Sequence, residues 1–143
     1  MIRVRVGPEP IDLAAELEKA EQGGAVATFT GIVRADDGVS ELRLEHYPGA
    51  TEAALEVLAV EAIARWSLHT ATIVHRVGPL RPGDRIVFVA TSADHRAAAL
   101  ESCAYLIDRL KTDAPFWKRE TVGETKRWVE PRTTDDAAAD RWK

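Results

Sequence analysis

At 143 residues the chain suits one domain, 1–143, built around one core. Hydrophobic residues at 45% and charged residues at 29% are ordinary for a soluble globular protein, and a net charge of −4 argues against a nucleic-acid binder, since phosphate recognition rests on a basic surface. The lone cysteine, Cys103, excludes an internal disulfide, a CxxC redox pair and a cysteine-rich zinc site.

In chain order, residues 2–6 alternate apolar and basic as an outer strand would, and lack the long apolar region of a signal peptide. Asp12 is placed to cap a short helix carrying Leu13 and Leu17, stopped by Gly23-Gly24. Ala25 to Arg34 reads as a strand with Ala25, Ala27, Phe29 and Val33 on one side; Gly31 in its middle predicts a bulge or a close backbone approach. A loop at Asp36-Asp37-Gly38 leads to a returning strand from Leu42 to Tyr47.

Pro48-Gly49 precedes a helix from Thr51 to Trp66, whose Glu61 and Arg65 have the favourable i,i+4 order. Glu56, Glu61 and Arg65 interrupt this most apolar stretch, so no membrane span is expected and the protein is read as cytoplasmic. Two strands follow, Ala71 to Val77 and Arg85 to Ser92, joined by a type II turn at Arg81-Pro82-Gly83-Asp84. The apolar run Ile86 to Ala90 predicts a central strand.

Asp94 is the predicted cap of a long helix from His95 to Thr112, with Leu100, Cys103, Ile107 and Leu110 as its core stripe. Pro115 ends that helix. A hairpin follows, from Phe116 to Thr121, through Gly123, to Lys126–Val129, and the tail from Pro131 to Lys143 is polar apart from Trp142. The pattern is that of an α+β domain.

The segment Lys111-Thr-Asp-Ala-Pro-Phe-Trp-Lys118-Arg-Glu120 is the most informative. One lysine ends the helix, the next lies on the following strand, and a proline turns the corner between them. Two ammonium groups held together beside aromatics are costly unless an anion or a proton transfer uses them. Along the strand Phe116, Lys118 and Glu120 share one face, while Trp117 and Arg119 point to the other. The plainer alternative is a pair of solvated lysines, with Lys111 favouring a helix C-terminus.

His95-Arg96 opens the long helix, where unpaired N–H groups and the dipole attract anions; the alternative is an exposed polar first turn. Arg34 ends the Thr28–Val33 strand, either at a site or leaving for solvent. Cys103 belongs to a core stripe and reads as buried and inert. His46, His69 and His75 lack metal-ligand spacing, and no phosphate-binding glycine motif is present, so no metal or nucleotide cofactor is expected.

With those residues laid out, the sequence resembles the large, catalytic subunit of molybdopterin synthase, the MoaE family, along nearly its whole length. The resemblance rests on Gly7-Pro8, Thr28-Phe29-Thr30-Gly31 through Arg34, Leu44-Glu45-His46-Tyr47-Pro48-Gly49, and His75-Arg76-Val77-Gly78. It continues through Pro82-Gly83-Asp84, His95-Arg96, Leu110-Lys111-Thr112, Ala114 to Glu120, and Arg127-Trp128-Val129-Glu130.

The resemblance implies an α/β hammerhead fold with an added antiparallel sheet. It implies a sulfurtransferase of molybdenum-cofactor synthesis that converts cyclic pyranopterin monophosphate to molybdopterin. The sulfur donor would be a small ubiquitin-like carrier subunit whose C-terminal Gly-Gly ends in a thiocarboxylate. Two copies of this chain would form a homodimer at the centre of a heterotetramer. Lys111 would be the principal catalytic residue and Lys118 its partner, holding the carrier tail or the pterin. Arg34, His95 and Arg96 would grip the phosphate, with Ile32 and Val33 along the same wall; Arg119 would also bind the substrate, and Glu120 would orient Lys118 or a pterin N–H.

The resemblance departs at Ile32, where several relatives carry a basic residue, and the loop after Arg34 holds the acidic pair Asp36-Asp37. Two other readings fit the same residues. One is a non-catalytic α+β module binding a phosphorylated metabolite or a partner's C-terminal tail. The other is a lysine Schiff-base enzyme acting on a small carbonyl compound.

Overall fold

The structure, a computed structural model, describes residues 1–35, 38–129 and 133–143. The expected Asp36-Asp37 loop, and Glu130 and Pro131 after the hairpin, lie outside the described residues. The elements are β1 (Ile2–Gly7), α1 (Leu13–Ala20), β2 (Ala25–Ile32), β3 (Val39–His46), α2 (Ala50–Trp66) and β4 (Thr70–Arg76). They continue with β5 (Gly78–Leu80), β6 (Arg85–Ala93), α3 (Arg96–Asp113), β7 (Phe116–Val122), β8 (Thr125–Val129) and α4 (Thr133–Asp140).

Two four-stranded sheets organise these elements, in the orders β1-β4-β6-β2 and β5-β3-β7-β8. The mixed α+β class expected from the sequence is therefore found. In the first sheet β1 runs parallel to β4, and the other pairings are antiparallel. β1 is an outer strand and β6 an inner one, as their patterns predict. Alternation along β4 sends Ala71 and Ile73 to the face covered by α2 and α3, where Leu55, Leu58, Leu106 and Leu110 close the main core. Val74, with Phe88 and Ala90 of β6, faces α1. A third cluster, Val33, Leu44, Val77 and Leu80, joins one end of this sheet to the inner face of the second.

Several local predictions hold for the expected reasons. Asp12 caps α1 by accepting from the Ala15 N–H at 3.1 Å. Gly83 adopts φ 93°, and the Asp84 N–H donates to the Arg81 carbonyl at 2.9 Å, as a type II turn requires. β2 shifts register between Gly31 and Ile32; a Cβ on Gly31 would lie 2.7 Å from Val87 Cγ1, so the strands approach where only glycine fits.

Others are corrected. Asp94 does not cap α3: its carboxylate meets the His69 ring at 2.6 Å, and His95 occupies the N-cap position without a side-chain cap. The core stripe of α3 runs through Ala99, Cys103, Leu106 and Leu110, while Leu100 is 62% exposed. Close packing near the start of α3 takes the small Ala99 inward and leaves the bulkier Leu100 outside. Glu61 accepts from the Tyr105 hydroxyl at 2.8 Å, and Arg65 lies over the Trp66 ring and donates to the Trp142 carbonyl, so neither side chain serves the expected i,i+4 pair. Phe29 is 38% exposed on β2, an edge strand. The short β5 had no signal of its own; it forms by pairing with β3.

The tail is not uniformly polar surface. α4 is followed by Trp142, whose ring meets Trp66 and Tyr105 at centroid distances of 5.8 and 5.7 Å and whose N–H donates to Asp108 at 2.7 Å. The chain end is thereby fastened to α2 and α3.

Candidate active site

The corner between α3 and β7 is set by backbone chemistry. Ala114 is extended, with φ −87° and ψ 130°, as the residue before a proline must be, and its N–H still closes on the Leu110 carbonyl at 3.3 Å. The Pro115 carbonyl has no helical donor; the hydroxyl of Thr51, wholly buried at the start of α2, supplies one at 2.9 Å. Thr51 also accepts from the Tyr47 N–H at 3.0 Å, so one side chain ties the end of β3, the start of α2 and the proline corner together.

β7 then enters the second sheet with Phe116 opposite His46, Lys118 opposite Leu44 and Glu120 opposite Leu42. Directly paired residues share a face. Because Leu44 is buried in the cluster between the sheets, Lys118 and Glu120 lie on the inward side. Trp117 and Arg119 take the outward side, where Trp117 meets Tyr47 and Arg119 lies 5.8 Å from the Trp128 ring centre.

At the facing edge of the first sheet stands His75. Period two puts it on the helix-covered face with Ile73, and Val6 and Val87 flank it on the neighbouring strands. Its ring stacks on Phe116 with centroids 4.1 Å apart. Nδ1 lies 2.8 Å from the Arg76 carbonyl; a carbonyl only accepts, so Nδ1 carries the proton. Burial pushes the His75 pKa down to about 4, and the charges of Lys118, Lys111 and His46 push the same way. His75 therefore feels the charge of both lysines, which are exposed on the helix end and the strand that flank it.

The remaining site candidates divide by position. Ile32 is 56% exposed at the end of β2, in the part of the sheet where Gly31, Val87 and His75 form one row. Arg34, exposed, follows it, with the backbone of Val33 anchored to Gly83 and Asp84 at 2.8 and 2.9 Å. The Val33 side chain is buried among Leu44, Val77 and Leu80. Glu120 is engaged by Arg127 across the hairpin at 3.0 Å.

His95 and Arg96, both exposed, stand at the opposite end of α3. Sixteen residues of helix separate His95 from Lys111, about 24 Å at the helical rise. Within one chain they cannot meet around a small substrate.

His46 and His75 were not singled out from the sequence, because the histidines were weighed only for metal spacing. Alternation along β4 was the available signal, since it carries His75 to the face of Ile73. Among the described residues no group of three or more metal-ligating side chains is assembled. Cys103 is buried and its thiol is pushed up to about 11 by burial, so it is no nucleophile.

The model of the family described as "MoaE protein" matches residues 6–113. The chain belongs to the MoaE family. Relatives named molybdopterin synthase catalytic subunit include those of Yersinia pestis, 50% identical, and Escherichia coli, 49% identical, each alignment covering 98% of this chain and 97% of the relative. Among solved structures, a molybdopterin biosynthesis MoaE protein from Burkholderia ambifaria superposes with a TM-score of 0.86 at 50% identity, covering 99% of this chain and 98% of that one. The segment Lys111–Asp113 falls at the end of the matched region, and the hairpin carrying Lys118 lies beyond it.

Proposed function

We propose that this chain is the catalytic subunit of a molybdopterin synthase, moving sulfur from the C-terminal thiocarboxylate of a small ubiquitin-like carrier onto cyclic pyranopterin monophosphate. The family membership supports the reaction, and the names of the Yersinia pestis and Escherichia coli relatives support the subunit. The observation that carries the site is the stack of Phe116 on His75, which sets the strand bearing Lys118 and the helix end bearing Lys111 beside that buried ring.

The chemistry follows from the charges. A thiocarboxylate is already a sulfur nucleophile, so the enzyme needs no cysteine of its own. It does need to bring two anions, the carrier tail and the pterin phosphate, into one hollow. Two ammonium groups offset that repulsion and remain as hydrogen-bond donors once water has left. A lysine in such a hollow can also move the protons required as sulfur displaces one ester oxygen and opens the cyclic phosphate, and as water then cleaves the bond between sulfur and the carrier's acyl carbon. Lys111 is the principal acid–base residue in this reading, and Lys118 holds the sulfur donor.

The distance between His95 and Lys111 supports a homodimer in which each protomer lends its His95 and Arg96 to its partner's phosphate. Arg34 lies at the lysine end of its own sheet and serves its own hollow. The hairpin and third core cluster favour the whole chain acting as one domain, with the two sheets as the walls of the site. The carrier's Gly-Gly tail, slender and anionic, suits a hollow between two sheets. A cytoplasmic setting fits the carrier chemistry, and among the described residues no helix is long and apolar enough to cross a membrane.

The test is direct. The protein mixed with thiocarboxylated carrier and cyclic pyranopterin monophosphate should yield the dithiolene product, read after oxidation as a fluorescent pterin. Binding of both partners without sulfur transfer would overturn the catalytic assignment in favour of a tail-binding module. Borohydride trapping of a carbonyl substrate on Lys111 would instead favour Schiff-base chemistry.

A further inference from the structure

The mechanism above uses the two lysines and leaves unexplained why a buried histidine stands beneath them. Its surroundings are apolar on three sides: Val6 and Val87 on the adjacent strands, and the Phe116 ring stacked above. The charged or titratable groups near it are Lys118 on β7, Lys111 on α3, His46 on β3 and Arg76 next along its own strand. An imidazole in that company stays neutral. With its proton committed at Nδ1 to the Arg76 carbonyl, the lone pair is on Nε2. Most side chains gathered there donate; Nε2 accepts.

We propose that His75 is a positioning residue for sulfur transfer, its neutral Nε2 accepting a hydrogen bond from Lys118 and so aiming that ammonium group at the incoming thiocarboxylate. Lys118 lies two residues beyond Phe116 on the same face of β7, the strand whose first ring stacks on His75, and its charge acts on that imidazole. The stack on Phe116 and the bond to the Arg76 carbonyl fix the ring in two independent directions, so the acceptor is preorganised. A carboxylate in the same place would hold the lysine more tightly but would add a third negative charge against two anionic substrates. A neutral acceptor orients without repelling. The inference rests on the reading of this hollow as the sulfur-transfer site.

Two measurements test it, one of which needs no turnover. In protein labelled with 15N-histidine, the Nε2 resonance of His75 should report an unprotonated, hydrogen-bonded nitrogen. Lys118→Met should move that resonance while leaving Nδ1 in place. An Nε2 signal indifferent to Lys118→Met overturns the proposal even if every His75 variant fails to fold, and does so whatever reaction the hollow performs.

The second measurement uses the assembled enzyme with thiocarboxylated carrier. His75→Phe keeps ring volume and the stack, and should lower kcat roughly 10- to 100-fold with a much smaller change in KM for the pterin. The alkaline limb of its kcat–pH profile should move to lower pH, because an ammonium that loses its acceptor gives up its proton more readily. His75→Gln, which returns an acceptor near Nε2, should recover part of the rate. Unchanged kcat and profile in His75→Phe, or a loss that His75→Gln does not relieve, would overturn the assignment.

Discussion

His75 and Phe116 lie nearly face to face, their planes 23° from parallel, one ring from the last part of β4 and the other from the first residue of β7. Residues 41 positions apart thereby meet beside the corner that carries both lysines. The contact depends on an uncharged imidazole.

That dependence predicts an acid-sensitive fold. The unfolded histidine binds a proton near pH 6.5, whereas the folded one resists until about 4. Between those values the unfolded state holds more protons, so stability falls as pH drops from about 6.5 towards 4 and levels off below. The shift corresponds to about 3 kcal/mol. Urea denaturation from pH 7 to pH 4 should show a slope that His75→Phe flattens; equal slopes in the two proteins would contradict the burial of a neutral ring.

Lys111→Ala should abolish sulfur transfer, leaving at most a few per cent of the rate. The residue is exposed in the last turn of α3, so its removal should shift Tm by no more than about 3 °C. Single-turnover product yield and thermal melting, measured on the same sample, separate loss of chemistry from loss of fold. Substantial residual transfer would remove Lys111 from its role.

The separation of His95 from Lys111 predicts complementation between subunits. Lys111→Ala and the double variant His95→Ala, Arg96→Ala should each be inactive. After mixing and subunit exchange, a hybrid dimer carries one hollow with all its groups intact. Random pairing of equal amounts then restores about one quarter of the sites. No recovery, with exchange verified by mass spectrometry, would rule out action across a dimer.

Away from the site, Arg3 holds Glu16 through two hydrogen bonds of 2.7 Å, with the carboxylate side chain only 5% exposed. The bond to Arg3 keeps this carboxyl below its ordinary value of 4.5. Its stabilisation is complete above that value and disappears as pH falls through the lower folded one. Glu16→Gln should cost about 2 kcal/mol at pH 7 and progressively less below pH 4.5. Chemical denaturation at both pH values reads the difference.

Trp142→Ala should loosen the fastening of α4. The change removes two edge-to-face ring contacts and the N–H bond to Asp108, leaving a cost of about 2 kcal/mol. Because that ring packs on α2 and the middle of α3 rather than beside His75, sulfur transfer at 25 °C should persist while Tm falls. Loss of activity without loss of stability would place the chain end in the site.

Much of the architecture was legible because it is imposed by short-range sterics. Pro115 had to end α3 and Gly83 had to occupy the positive-φ corner of its turn. Gly31 had to mark an irregular strand. Each follows from one residue's allowed backbone conformations. The wrong cap and the misdrawn α3 stripe have a different origin. Asp94 had a competitor, His69, supplied by a distant segment, and Ala99 rather than Leu100 faces the sheet because the available depth suits a methyl group.

For the site, the sequence determined the chemical cast: two lysines around a proline corner, a basic helix start, and no usable thiol. The helical rise alone already kept His95 away from Lys111, since sixteen residues of α-helix have one length in any fold. Only the tertiary structure decided that β4 passes beneath that corner and makes His75 its buried, neutral floor. Alternation along a strand gives a side chain its face, but the neighbour it meets there is chosen by sheet order and register, which depend on pairings between segments far apart in the chain.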